Sequence, residues 1–325
     1  MKNLLLFTIL SVFIISRNLY ASSSLLFLEF QGIGGYSFSG QKFIYHSVHE
    51  DDVMQKNSAG FDFIKKFSSD TSDILTLALQ VRAAYEDVSK KVQLQIYNAY
   101  LKTKTSYVDI WAGHNRIAFG LESYWDTHGT LIQPLSMHGF GFDRDWGIGI
   151  SKDTQKGNVQ AALSLATGMA FSTQDNWLIS SRISHGVLSY DNYTAGVSFM
   201  GGKTLEVMGF DIMKNGLKSS TLFAFDFAYN HNNFEHKTEL VYGLKNSTEA
   251  AAGLYNFSVN FLEENKLKLE VQGIYTKIGN NEKYFCDVGV SYKINSDLTI
   301  RTMYEYVGKI GESKVVGQIY YYFFL

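Results

Sequence analysis

The chain has 325 residues and a formal net charge of −2 at pH 7, a balance that gives no reason to expect nucleic-acid binding. A single cysteine, Cys286, excludes an internal disulfide framework. There are 28 Gly, 24 Phe and 21 Tyr but only one Pro, a composition that suits β-strands facing an apolar medium. The mean hydropathy of −0.08 is what alternating apolar and polar faces produce when they cancel.

Residues 1–21 have the pattern of a secretory signal peptide. Lys2 supplies a positive charge, Leu4 to Ile15 form an apolar segment, and Leu19-Tyr20-Ala21 ends in a small residue. The apolar segment is short for a spanning helix, which needs roughly 20 residues. We therefore predict cleavage after Ala21 and a mature domain over 22–325.

Alternation of apolar and polar residues runs through nearly all of the mature chain. Leu75, Leu77 and Leu79 share one face of a segment whose other face carries Thr76, Gln80 and Arg82. This period of two predicts β-strands. Segments of about 9–12 residues fit tilted membrane strands better than the shorter strands of a soluble sandwich. Aromatic residues at the ends of the apolar faces fit the girdles of a membrane barrel.

Eighteen segments are candidate strands: 25–38, 41–49, 59–67, 73–85, 90–101, 105–114, 144–152, 157–167, 178–187, 193–201, 204–213, 219–230, 235–245, 251–262, 266–278, 284–294, 298–308 and 314–325. Bacterial barrels have even strand numbers and carry their long loops on the outside. The long connection 115–143 is outside only if one segment before it (41–49 or 59–67) and one after it (204–213) are not wall strands. We therefore predict an all-β, antiparallel, up-and-down transmembrane barrel of sixteen strands, with fourteen and eighteen left open.

The last predicted strand carries apolar residues at alternate positions: Val315, Gly317, Ile319, Tyr321, Phe323 and Leu325. This pattern resembles the signal that the outer-membrane barrel-assembly machinery reads, although the usual last residue is Phe. It predicts a multi-pass protein of a Gram-negative outer membrane. The expected partners are the assembly machinery, outer-membrane lipid and lipopolysaccharide, with a homotrimer left open.

The loop 115–143 holds the only proline and a cluster of charges. A long loop of this kind in a porin folds into the barrel and narrows it, which brings its charges near the conduction path. The candidates for the constriction or the mouth are Arg116, Glu122, Asp126, Asp143, Arg144 and Asp145. Alternatively, these residues are surface charges, or they form an Arg–Asp pair that fixes the loop.

The polar faces of the predicted strands carry both signs of charge. The candidates for the lumen are Arg82, Arg182, Asp226, Lys268, Glu270, Arg301 and Glu305. A balanced lumen predicts weak charge selectivity, or a transverse field if the signs separate. The alternative is that these ions pair across strands and only stiffen the wall.

Four short motifs resemble the phosphate-selective porin O and P family over about residues 95–150. They are Ala99-Tyr100-Leu101, Ile110-Trp111-Ala112-Gly113, Phe119-Gly120-Leu121-Glu122 and Arg144-Asp145-Trp146-Gly147-Ile148. The resemblance implies a sixteen-stranded outer-membrane channel. The chain departs from the family at Ala118, where a proline is common, and its sequence does not plainly supply the dense basic lumen that phosphate selectivity needs.

The pattern favours a non-enzymatic channel for passive diffusion of small hydrophilic solutes or ions, with no cofactor and no metal. A structural or adhesive barrel, or a sleeve for a partner protein, is the alternative. A barrel hydrolase is less favoured because the sequence has no Gly-x-Ser-x-Gly or comparable nucleophile motif.

Overall fold

The computed structural model describes residues 21–47, 55–69, 73–86, 90–208, 211–309 and 311–325. The predicted signal peptide lies outside the described residues except for Ala21, with which the first strand begins.

Seventeen strands account for most of the described chain. They are β1 (Ala21–Ser37), β2 (Lys42–Ile44), β3 (Ser58–Ser68), β4 (Asp73–Glu86), β5 (Lys91–Lys104), β6 (Asp109–Arg116), β7 (Arg144–Thr154), β8 (Gly157–Ser164), β9 (Trp177–His185), β10 (Tyr193–Met208), β11 (Asp211–His231), β12 (Phe234–Lys245), β13 (Thr248–Phe261), β14 (Leu267–Ile278), β15 (Asn281–Lys293), β16 (Leu298–Gly308) and β17 (Glu312–Phe324). The helical segments are single turns: 3₁₀ turns at Leu121–Ser123, Leu135–His138 and Glu263–Asn265, and the α-helix α1 at Leu188–Asp191.

The strands form one closed antiparallel sheet. β1 pairs with β17 on one side and with β3 on the other, and each later strand pairs with its neighbours in the chain. The three-residue β2 pairs only with the end of β1, at Gly35 to Ser37, so the closed wall has sixteen strands. The prediction of sixteen is confirmed: among the described residues, segment 41–49 contributes only the short β2, and segment 204–213 belongs to the ends of β10 and β11.

The outer face of the wall is apolar. On β11 every second side chain from Phe223 to Tyr229 faces outward, and Leu240, Tyr242 and Leu244 do so on β12. Such a surface is stable only against hydrocarbon, and a closed barrel leaves no unpaired backbone edge inside the bilayer. In the part of the chain that the structure describes, no helix is both long and apolar enough to span a membrane.

The two ends of the barrel differ in the length of their connections. The end that holds Ala21 and Leu325 has short ones, of which the longest is 186–192 between β9 and β10. The opposite end carries 117–143 between β6 and β7, and 165–176 between β8 and β9. Outer-membrane barrels have short periplasmic turns and longer outer loops, so we name the end with the long connections the outer end and the opposite end the periplasmic end.

One hairpin extends beyond the rest of the outer rim. β9 pairs with β10 only as far as Lys203, and β12 pairs with β11 only from Ser220. Beyond these two positions β10 and β11 pair with each other, out to Met208 and Asp211. This part of the hairpin is therefore a two-stranded ribbon that pairs with no other strand of the described chain.

Candidate functional site

The segment 117–143 packs against the inward-facing side of the wall through an apolar cluster, which we name the apolar anchor. The anchor consists of the buried residues Ile117, Phe119, Leu121, Leu135 and Phe140. Its partners are inward-facing residues of β9 to β16: Leu178, Met200, Leu222, Val241, Leu254, Ile274, Phe285 and Val307. Burial of each such side chain stabilises the packing by roughly 1.5–3 kcal/mol. The inner wall is thus apolar where the segment covers it, which the sequence analysis did not predict.

Backbone groups of the segment also bond to the wall beside the anchor. The Gly120 N–H donates to Ser198 Oγ at 3.0 Å, and the Leu121 N–H donates to Glu239 Oε1 at 3.3 Å. Gly120 has φ 53°, and a Cβ at this position would lie 1.6 Å from Glu239 Oε1. Only glycine allows the backbone to approach the wall this closely without displacing that carboxylate.

Tyr124 connects the segment to β9 and β11. Its hydroxyl donates to Asp226 Oδ1 at 3.1 Å. Arg182 donates to the same carboxylate through Nε at 2.9 Å and Nη2 at 2.6 Å, and its guanidinium lies 4.7 Å from the centre of the Tyr124 ring. The bidentate pair is buried, so the charges of Arg182 and Asp226 neutralise each other within the wall.

Further along the segment, His128 contacts the other side of the ring of strands. Its Nε2 lies 2.9 Å from both carboxylate oxygens of Glu29 on β1 and 2.9 Å from Gln80 Nε2 on β4. Its ring centre is 4.1 Å from that of Tyr97. The segment therefore contacts inward-facing residues on nearly opposite sides of the wall, at β11 and at β1.

Two arginines surround Asp126. Arg116 pairs with Asp126 at 2.5 Å, and Arg144 lies 3.9 Å from it. Asp126 is 57% exposed and Arg116 is 21% exposed, whereas Arg144 is only 2% exposed. The surrounding protein removes part of the water around the Asp126 carboxylate and so disfavours its ionised form, but Arg116 and Arg144 outweigh this effect and hold the pKa of that carboxyl below its usual value. We name Asp126 and His128, with their partners Glu29, Arg116 and Arg144, the polar clasp.

Arg144 is held from several directions. It donates to Asp143 Oδ2 at 2.5 Å and to Asn98 Oδ1 at 2.8 Å, and its guanidinium stacks 3.6 Å above the Tyr97 ring. Tyr97 lies where the register of β4 and β5 shifts by one residue, between the pairs Gln80–Asn98 and Val81–Ile96. A β-bulge of this kind re-aims the extra side chain, and here the Tyr97 hydroxyl donates to Asp143 Oδ2 at 3.0 Å.

The remaining acidic candidates of the loop are buried. Glu122 Oε1 accepts from the Ser136 N–H at 3.2 Å, while Glu122 Oε2 has no hydrogen-bond partner among the described residues. Burial and the nearby Asp143 raise the pKa of Glu122. Asp145 accepts from the Ala166 N–H at 2.6 Å and from the Thr167 N–H at 3.1 Å, so it fixes the start of the neighbouring connection 165–176.

The seven lumen candidates lie on the strand faces opposite the exposed apolar residues, and most are paired. Lys268 contacts Glu270 at 2.9 Å, and Glu305 contacts Lys314 at 2.9 Å. Arg82 donates to Gln95 Oε1 at 2.9 Å. Arg301 donates to Gln318 Oε1 at 2.9 Å and lies over the Tyr320 ring. Arg182 and Asp226 form the pair described above.

Sequence reasoning missed Glu29, Tyr97, Tyr124 and His128 as functional candidates. A signal for Tyr97 was present, because the apolar positions of this strand change from even numbers (Val92, Leu94, Ile96) to odd numbers (Ala99, Leu101). Such a change of phase predicts a bulge.

No protein-family model and no curated protein sequence matches the chain. The solved structures that resemble it are outer-membrane barrels, and the similarity extends over nearly the full length. The chain is therefore a multi-pass outer-membrane β-barrel with the fold of porins.

Three of these structures illustrate how similar the fold is and how low the sequence identity is. An anion-selective porin from Comamonas acidovorans has a TM-score of 0.67 and 12% identity, over 93% of this chain and 100% of that one. Salmonella typhi OmpF, solved with daunomycin, has a TM-score of 0.66 and 11% identity, over 92% and 97%. The trimer form of OmpT, an outer-membrane protein of Vibrio cholerae, has a TM-score of 0.64 and 10% identity, over 93% and 100%. At such low identity the likeness is one of fold.

Proposed function

We propose that this protein is a passive diffusion channel for small hydrophilic solutes or ions, and that the segment 115–143 narrows its bore. The observation that carries the proposal is that one segment contacts opposite sides of the wall, through Tyr124 and Asp226 on one side and His128 and Glu29 on the other. An apolar exterior combined with charged inward positions is the arrangement of a water-filled barrel.

The proposal assigns two roles to the loop charges. Arg116 and Asp126 keep exposed surface, so they border the path of the solute. Glu122, Asp143, Arg144 and Asp145 are buried, so they hold the segment in place. A charge that stays in contact with water acts on passing ions, whereas a buried and paired charge acts mainly through the geometry that it fixes.

We infer weak charge selectivity, because the charged residues at inward positions form pairs of opposite sign, such as Lys268 with Glu270 and Glu305 with Lys314. The resemblance to phosphate-selective porins makes inorganic phosphate a necessary probe in the assay. The alternative of a sleeve is disfavoured, because a partner threaded through the bore would have to displace the packed apolar anchor. An enzymatic role and a structural or adhesive role remain the alternatives to conduction.

Planar-bilayer recording of the refolded barrel tests conduction. We expect discrete conductance steps, and an Asp126→Asn channel whose reversal potential in a KCl gradient shifts toward anions. Asp297→Asn, in an exposed turn at the periplasmic end, is the matched control and should leave the reversal potential unchanged. Folding is checked by the different gel mobility of unboiled and boiled protein. A folded barrel that never conducts would contradict the proposal.

We further propose a homotrimer, in line with the trimer form of the Vibrio cholerae relative. Native mass spectrometry from detergent should give three copies. A monomer under mild detergent conditions would count against this assembly and would leave the channel proposal untouched.

A further inference from the structure

A cavity of about 770 Å³ lies next to the segment, toward the periplasmic end of β7 to β10. Tyr124 lines it on the side of the segment, and Val187 and Asp191 of the connection 186–192 line it at the periplasmic end. Its volume is within the range of small-molecule sites in proteins. A solute moving through the bore would therefore meet a partly enclosed space immediately beside the segment.

The side wall of this cavity carries hydrogen-bonding groups that the protein does not use. Gln160 on β8 and Thr194 on β10 line it, and their side chains have no hydrogen-bond partner within the described part of the chain. Other inward-facing glutamines are engaged: Gln80 bonds to Glu29, and Gln272 bonds to the Gln133 carbonyl. Uncommitted amide and hydroxyl groups in a recess are available to a solute.

The charged groups of the cavity are either paired with an opposite charge or exposed to solvent. The guanidinium of Arg182 forms a bidentate pair with Asp226, so an incoming anion would have to compete with a buried carboxylate. Asp191 accepts from the Val187 N–H at 2.9 Å, and Asp153 accepts from the Asn158 side-chain amide. Both aspartates are exposed to solvent at the periplasmic end, where water screens their charge. The lining therefore gives little advantage to an ion of either sign.

Tyr124 adds an aromatic ring to this lining. Its hydroxyl is fixed by Asp226 and its ring packs beside Arg182, so the ring is held in one orientation. A fixed aromatic ring next to free amide and hydroxyl groups suits a molecule with both C–H faces and hydroxyl groups.

We propose that this cavity binds a neutral polyhydroxylated solute, a saccharide of one or two rings, on its way through the channel. The proposal rests on the proposed function, since the solute reaches the cavity through the bore. Gln160 and Thr194 bond its hydroxyl groups, and Tyr124 packs against a ring face. The site therefore holds neutral sugars longer than it holds ions.

Two measurements test the site separately from conduction. Saturation-transfer NMR on the detergent-solubilised barrel, with glucose and sucrose as probes, should show binding with a dissociation constant of roughly millimolar order. Single-channel recording in KCl should show that the same sugars reduce the ion current reversibly. Gln160→Ala should weaken both effects about fivefold, a factor that corresponds to the loss of one hydrogen bond.

The matched control is Ser291→Ala, an inward-facing hydroxyl on β15 that lies outside the cavity, and it should behave like the native protein. Thr194→Val replaces Gln160→Ala if that variant fails the gel-mobility test of folding. A barrel that conducts but binds no sugar in either measurement would overturn the site and leave the channel standing. Equal or stronger reduction of the current by inorganic phosphate or tetraethylammonium would also overturn it. Sugar binding in a barrel that never conducts would support the site and contradict the proposed function.

Discussion

The apolar anchor and the polar clasp attach the same segment to the wall by different interactions, hydrophobic burial in the first case and contacts between ionisable groups in the second. The anchor buries five hydrophobic side chains against β9 to β16, whereas the clasp joins ionisable groups on the opposite side, such as His128 with Glu29. Apolar burial contributes roughly 1.5–3 kcal/mol for each of the five side chains of the anchor, and a hydrogen bond to a charged group, of which the clasp has fewer, contributes about 1.5–3 kcal/mol net. In the proposed channel, the anchor would decide whether the segment stays packed against the inner wall, and the clasp would decide which charges border the path of the solute.

Loss of the anchor should have the largest effect on the stability of the docked segment. Phe119→Ala should destabilise the docked segment by about 3–5 kcal/mol, because it leaves a cavity in a closely packed cluster. Faster backbone hydrogen exchange over 117–125 and a larger single-channel conductance would follow. Phe225→Ala removes a lipid-facing ring of the same size and should change neither quantity. Equal effects of the two substitutions would mean that the anchor does not hold the segment.

Arg144→Leu should cost about 3 kcal/mol of docking stability, because it leaves the buried Asp143 carboxylate without its cation. Hydrogen exchange over 135–145 measures the loss. Replacing both residues with leucine should restore part of the stability, since no uncompensated charge then remains. A double variant less stable than the sum of the single variants would contradict this account.

His128→Ala should weaken the clasp by about 2 kcal/mol, the value of hydrogen bonds to a charged group. The anchor remains, so the mean conductance should change little. The uncovered Glu29 carboxylate should shift the reversal potential toward cations. His231→Ala, at the exposed end of β11, is the control. A large rise in conductance with no change of selectivity would reverse the roles that we give to the anchor and the clasp.

Glu122→Gln tests the smallest expected effect, the pH dependence of the stability of the docked segment. Burial raises the pKa of Glu122 above the usual value near 4.5. The stabilisation of the docked segment by the neutral carboxyl is therefore complete below about pH 4.5 and is lost as the pH rises through the raised pKa. The native segment should therefore exchange hydrogen faster at pH 8 than at pH 5, after correction for intrinsic rates. The glutamine variant should lose the part of this dependence that Glu122 contributes, whereas the buried Asp145 keeps its own part. The variant should be more stable by about 1 kcal/mol at pH 7. Glu263→Gln, in an exposed turn, should keep the native profile.

The sequence predicted the wall far better than the segment inside it. Alternation is a local property, so the strands and their number follow from neighbouring residues and the parity rule for barrels. The partners of the segment are distant in the chain: Leu121 bonds to Glu239, and His128 bonds to Glu29. No local pattern determines such pairs.

The sequence contains a signal for the apolar patch on the inner wall, and this signal could have predicted the patch. Around Leu222-Phe223-Ala224-Phe225 and Ile274-Tyr275, both faces of the strand are apolar, which is unlike the polar inner face expected for a water-filled barrel. Strand stretches that are apolar on both faces predict that something covers the inner side. What covers it depends on the tertiary fold.

The ribbon formed by the ends of β10 and β11 has a practical consequence. It continues past Lys203 and Ser220 as far as Met208 and Asp211, and over these described residues β10 and β11 pair only with each other. A short peptide inserted into this ribbon would therefore interrupt no backbone pairing between β10 and β9 or between β11 and β12.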